Sequence, residues 1–425
     1  MTVIDLGELR DDVEPDPPTR PPWAVGRPYQ CLVVLLAALV TLAGAAPAPR
    51  RVVATVPGVP TATAFVIDDR LYVLEPPDPG LGTGSQLVAY RATAGRSSAL
   101  WRVPLPGDRA VLSGWAVDGR LVLVGRAGDD AGWETLGFDT ATGRLGWRRP
   151  GMPLQVGDTV LLNAGDGAGA DEISRVDPRT GRTLWSVSAP SAEIWLSPGS
   201  VGVERLVLRH HSGMVEVFDT GSGARLAARD LRTGEASGRR PIAAAAGLLL
   251  MASDTDDTVT GYDLDRLEPR WTASLPMVDF AHSCGRSLCT FRQIGGVSVL
   301  DPATGALRWT DPRWSSQLLA ADGRLLVAKP TGGNALPLAV VEEETGRLVA
   351  DLGDWEPVSW DDRDGSIIGV RLSRDGRMMI AELDLAGGPA RILDALPDAV
   401  GGCRSGETVL VCHRIDGRFM LRWYR

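Results

Sequence analysis

The chain has 425 residues, a net charge of −9, 44% hydrophobic content, 50 glycines and 30 prolines. An acidic balance of this size gives no electrostatic footing for nucleic acid, and the apolar share is enough for a large core. Lys329 is the only lysine among the 44 Lys and Arg residues, an imbalance expected of a GC-rich genome rather than of a function.

Residues 1–30 carry six acids and three arginines, and the stretch "DDVEPDPPTRPP" is too polar and proline-rich to bury a core. A disordered cytoplasmic tail is expected there, with the apolar-acidic "VIDLGEL" at 3–9 as a candidate docking peptide. The uncharged run "CLVVLLAALVTLAGAAP" follows at 31–47; it is at the short end for a spanning helix. A transmembrane signal anchor over 31–48 is expected. The alternative is a signal peptide cleaved near Ala43-Gly44-Ala45, which would leave a secreted protein. The long acidic leader weighs against cleavage. Arg20 and Arg27 before the run, and Arg50 and Arg51 after it, leave the orientation undecided by charge.

From residue 51 to 425 the chain reads as short strands rich in Val and Leu, broken by Asp-Gly and Gly-Asp turns, such as "AFVIDDRLYVLE" and "GRLLVAKP". No amphipathic helix interrupts them, so the fold class is all-β. One phrase recurs: "FDTATGRLGW" (138–147), "VDPRTGRTLW" (176–185) and "LDPATGALRW" (300–309), with "YDLDRLEPRW" (262–271) keeping only the ends. Its first acidic position falls at Arg91, Asp139, Asp177, Asp219, Asp263, Asp301, Glu342 and Asp384, with gaps of 48, 38, 42, 44, 38, 41 and 42 residues. A period near forty in an all-β chain marks a propeller with one four-stranded blade per repeat. Eight blades are expected, with seven or nine as the other counts, because a further hairpin, "ETVLVCHRIDGRFMLRWY", follows the last phrase. The strand "RVVATVPG" (51–58) is placed to join it and close the ring.

Within the phrase, an Asp at a strand end starts a turn, Pro178 and Pro302 suit its second position, and Gly143, Gly181, Gly305 and Gly346 suit a left-handed residue. The phrase is thus a hairpin loop between the third and fourth strands. Trp147, Trp185, Trp271 and Trp309 lie eight residues past the acid, and Trp101 follows an insertion. Each is expected to fasten its blade to the next, burying its ring and giving its N–H to a backbone acceptor. Ala227, Ala350 and Ile392 replace Trp in the weaker copies.

These residues resemble the tryptophan-docking motif of the quinoprotein-type, or PQQ-like, β-propeller repeat, over about residues 52–425. The resemblance implies a membrane-anchored, BamB-like, non-catalytic branch. In quinoprotein dehydrogenases of this kind it also implies PQQ, a Ca²⁺ held by oxygen ligands, and often an adjacent-cysteine disulfide. No Cys-Cys dipeptide occurs here, and "DTDD" (254–257) and "WDDRDG" (360–365) fall where ordinary loops are expected. His210-His211 lies at a strand end where the two rings face opposite sides. No catalytic residue, metal ligand or cofactor is therefore expected.

On the same frame, "SCGRSLCTF" and "GCRSGETVLVC" occupy equivalent places in two blades, and disulfides Cys284–Cys289 and Cys403–Cys412 are expected. Two such pairs point to an oxidising compartment, with the propeller outside the cell membrane. The expected function is a scaffold binding protein or cell-envelope partners through loops such as 76–85, 126–133 and 331–337. A small PQQ- and Ca²⁺-dependent oxidoreductase, or a sensor signalling through the tail, are the alternatives.

Overall fold

The computed structural model describes residues 32–36, 53–77, 84–92, 98–106, 109–127, 132–156, 160–165, 170–199, 202–231, 239–253, 256–358, 365–406 and 408–423. The chain divides into Met1–Arg51 and the compact unit Val52–Arg425. Of the first, residues 32–36 form a helical stretch with all five side chains exposed. No helix among the described residues is long and apolar enough to cross a membrane. The expected tail 1–30 and the rest of the expected span 31–48 lie outside the described residues.

Among the described residues the second unit is built of antiparallel strands, in five four-stranded sheets and two seven-stranded ones. Each seven-stranded sheet is two four-stranded meanders sharing one long strand, Thr183–Pro198 or Leu348–Pro357. Nine four-stranded repeats result. Repeats 1 to 8 span 63–104, 109–150, 152–188, 193–230, 239–274, 278–311, 316–355 and 356–396. Repeat 9 combines Ala399–Ser405, Val409–Arg414 and Phe419–Trp423 with the N-terminal strand Val53–Val56, which pairs Val53 with Arg422 and Val56 with Phe419.

Eight repeats were expected, with seven or nine as the other counts, and nine are traced among the described residues, for a local reason. The phrase that marks each copy is the turn between third and fourth strands. Repeat 9 has no such turn, because its third and fourth strands come from opposite ends of the unit.

The second strands read as continuous apolar runs because both faces of each sheet are covered. In "LYVL", Leu71 and Val73 pack toward repeat 9, while Tyr72 and Leu74 pack toward repeat 2. Nine apolar clusters result, each joining one consecutive pair of repeats, and the last joins repeat 9 to repeat 1 through Val56, Phe419, Leu421, Ala64, Leu71 and Val88. The core is therefore distributed around a closed circuit of junctions.

Candidate functional site

The five tryptophans lie on outermost strands and reach into the following repeat. Trp101 donates its indole N–H to the Thr140 carbonyl (2.9 Å), Trp147 to Pro178 (2.7 Å), Trp185 to Thr220 (3.1 Å), Trp271 to Pro302 (2.9 Å) and Trp309 to Glu343 (2.8 Å). Every acceptor is the residue just after the acidic position of the next turn. Each ring lies over the glycine of that turn: a Cβ on Gly181, whose φ is +68°, would meet the Trp147 ring at 2.5 Å. Only glycine gives both the left-handed backbone and the close approach.

The turn is held from inside. Asp139 accepts the Thr142 N–H and hydroxyl, Asp177 accepts the Arg179 N–H and the Thr180 hydroxyl, and Asp301 accepts the Arg308 guanidinium and the Ala303 and Thr304 N–H groups. Those donors hold all three carboxyls below the usual range: the Thr142 hydroxyl chiefly for Asp139, the Arg179 N–H for Asp177 and Arg308 for Asp301.

Where tryptophan is missing, the next turn has changed. Ala227 stands opposite Leu267, which takes the glycine position of repeat 5 at φ +57° and is fully buried. Repeat 8 turns more tightly, Gly387 bonding Asp384 three residues back rather than four, and Val349 lies against it. Ile392 precedes repeat 9, which offers no turn; Asp394 there pairs with the buried Arg422 instead.

The structure joins Cys284 to Cys289 and Cys403 to Cys412, each pair linking the first and second strands of a repeat. The pairs differ in one respect. The first faces the junction of repeats 6 and 7, and the second that of repeats 8 and 9, so they lie on opposite faces of their sheets. Cys289 is the third residue of the strand Ser287–Arg292 and Cys412 the fourth of Val409–Arg414, one step apart in the side-chain alternation, so the two pairs do not occupy equivalent places. The closed loops are short, with separations of 5 and 9 residues, and each bridge adds about 2–3 kcal/mol through the unfolded chain. Reduction is expected to lower the denaturation midpoint without abolishing folding. A midpoint unchanged by reductant would contradict that contribution.

The repeats present two kinds of end. Turns joining first to second and third to fourth strands share one end, as in the Thr140 N–H bond to Gly119; we term it the turn face. Second-to-third turns and the links between repeats share the other, as in the Gln293 N–H bond to Met277; we term it the loop face. The strand Val53–Val56 begins at the turn face and ends at the loop face. On the loop face three large apolar side chains are exposed: Met277 is 48% exposed, Phe280 42% and Ile294 77%.

These three border an aromatic stack. Phe280 lies 4.6 Å from Phe291 in parallel planes, and Phe291 lies 5.0 Å from His282, which hydrogen-bonds Gln317 of repeat 7 at 2.7 Å. Beside it the buried Trp314 is bonded through its carbonyl to the Gly296 N–H, and Arg313 and Lys329 sit 5.2 and 5.4 Å from its ring centre. Burial lowers the His282 pKa, opposed by the Gln317 hydrogen bond; burial also lowers that of His413, opposed by a backbone bond to Ala62. A depressed imidazole stabilises the fold fully above its unfolded value of about 6.5 and loses that contribution as pH falls toward the folded value. The turn carboxyls add a second loss below about pH 4. The melting temperature is expected to be level near neutrality, to fall below about pH 6.5 and to drop again below about pH 4. A level profile down to about pH 5 would contradict the histidine contribution.

No group of three or more His, Cys, Asp or Glu side chains converges among the described residues. Of the two acidic stretches, residues 254–255 and 360–364 lie outside the described residues. His210 pairs with Glu216 at 2.9 Å, and Glu216 also accepts Arg225, which accounts for the ring structurally.

A family model described as outer membrane protein assembly factor BamB matches residues 83–255 and 171–325, together more than half of the chain. The chain belongs to this BamB family. Solved structures similar to it include the computationally designed Ika8 protein, 16% identical over 75% of this chain and 96% of that one, TM-score 0.48. BamB from Moraxella catarrhalis is 16% identical over 88% of this chain and 100% of that one, TM-score 0.40. Sqt1 from Chaetomium thermophilum is 14% identical over 72% and 93%, TM-score 0.44. No curated protein matches the chain. The BamB family model spans repeats 2 to 6 in full, where four of the five docking tryptophans lie.

Proposed function

We propose that this chain is a non-catalytic scaffold of the cell envelope, a nine-bladed PQQ-like propeller tethered to the membrane by residues 31–48 and facing outside the cytoplasm. Membership of the BamB family carries the reading, since that family model is described as an assembly factor. The loop face, with its exposed apolar side chains, gives it a surface on which to act. Two cystine pairs support an oxidising compartment, and the uncharged run at 31–47 supports the tether. The scaffold works without PQQ or Ca²⁺, its partners being proteins or cell-envelope components.

The test is affinity capture from native membranes, comparing the full chain with one lacking residues 52–425. A near-stoichiometric partner that is lost with the propeller is expected. Tight binding of PQQ with Ca²⁺, together with dye-linked substrate oxidation, would replace the scaffold by an oxidoreductase. A partner retained by residues 1–51 alone would favour signalling through the tail.

A further inference from the structure

We infer that the loop face of repeats 6 and 7 is a docking site for a short protein segment carrying both apolar side chains and carboxylates. This deepens the scaffold reading and rests on it.

Three observations converge. First, Met277, Phe280 and Ile294 are large apolar side chains left 42–77% exposed. They belong to one local surface, because the Gln293 N–H beside Ile294 bonds the Met277 carbonyl, and Val278 pairs with Arg292. Second, Phe280 is held in place: stacked on the buried Phe291 and next to His282, it loses little freedom on contact. Pre-ordered aromatic groups of this kind are the usual anchors of protein interfaces. Third, the repeat 7 side of this surface offers an uncompensated cation in a chain of net charge −9. Arg313 is engaged by Asp311 at 2.7 Å, and the exposed Asp257 and Asp279 lie on the Met277 side, where the Leu275 N–H bonds the Asp257 carbonyl. Lys329 has no carboxylate partner among the described residues; its ammonium rests on the Trp314 ring.

That charge pattern selects the occupant. A basic segment would meet the Lys329 ammonium at close range, and a purely apolar one would leave that ammonium beside it without compensation. An acidic-apolar segment seats its apolar groups on Phe280, Met277 and Ile294 and turns a carboxylate toward Lys329. Carboxylate–ammonium pairing at such a rim governs choice and approach rate more than tightness, while the aromatic anchor supplies most of the affinity.

The test is peptide selection from a random display library against the full chain in detergent, with binding of the enriched peptides then measured on Phe280→Ala and Lys329→Glu. Both targets are exposed or half-buried side chains, and matched melting curves confirm that the variants stay folded. Enrichment of acidic-apolar peptides is expected, with affinity reduced about tenfold or more by Phe280→Ala. Lys329→Glu is expected to reverse the preference toward basic peptides, which a merely structural role for Lys329 would not do. Peptides that bind equally well to both variants overturn the site while leaving the scaffold standing. Failure to enrich any peptide overturns the site too; if native-membrane capture is also empty, the scaffold reading falls with it. Binding of phosphatidylglycerol vesicles that is abolished by the same substitutions would assign the surface to lipid and overturn the proposal.

Discussion

Trp147→Ala is expected to lower the unfolding free energy by about 3–5 kcal/mol. Trp147 is 7% exposed and sits between Gly137 of its own repeat and Gly181 of the next. Truncation opens a cavity at the junction of repeats 2 and 3, which neither glycine can fill. It also leaves the Pro178 carbonyl without its indole donor, adding a desolvation penalty to the lost packing. Trp147→Phe keeps most of the ring and loses the N–H, so about 1–2 kcal/mol is expected there. Trp101→Ala should cost less than Trp147→Ala, because Trp101 is only half-buried. Urea unfolding followed by intrinsic fluorescence, read against far-ultraviolet circular dichroism, measures all three. A loss below about 1 kcal/mol for Trp147→Ala would mean that the tryptophans do not fasten the repeats.

Removing residues 53–56 is expected to be at least as severe. Val56 is fully buried and Ala54 is 5% exposed in the cluster that joins repeat 9 to repeat 1. The strand forms four register pairs with Phe419–Trp423. Buried side chains and ladder bonds together amount to about 4–8 kcal/mol, an upper range because the unfolded chain already hides part of this surface. The loss also exposes a sheet edge, which invites association with other copies. A chain starting at Pro57 is therefore expected to unfold at lower denaturant and to elute as larger species than a chain starting at Val52. Equal midpoints and equal elution would show that the ring does not depend on this strand.

The periodic part of this architecture is written locally, which is why it can be read without coordinates. Asp, Gly and Trp sit at fixed offsets because one turn needs a carboxylate cap, a left-handed residue and an indole from the preceding repeat. The same chemistry explains what stays hidden. Repeat 9 carries no phrase because it has no third-to-fourth turn, so counting phrases gives eight. The exchange of a docked Trp for Ala227 and Leu267 does leave a signal: a missing Trp in one copy precedes a missing glycine in the next. Pairing of the cysteines follows from their positions on neighbouring strands, but the sheet face each pair occupies depends on where each second strand begins, Cys289 being its third residue and Cys412 its fourth. The candidate docking surface leaves no sequence pattern at all. Met277, Phe280, Ile294 and Lys329 come from different loops and strands, and their exposure is decided by how repeats 6 and 7 pack.

An experimental electron-density map of the full chain, with the repeats counted around the ring, tests the central claim most directly. The account predicts nine four-stranded repeats, with Val53–Val56 as the outermost strand of the last and each docked tryptophan over the glycine of the following turn. A ring of eight, with residues 399–423 outside it, would contradict the account.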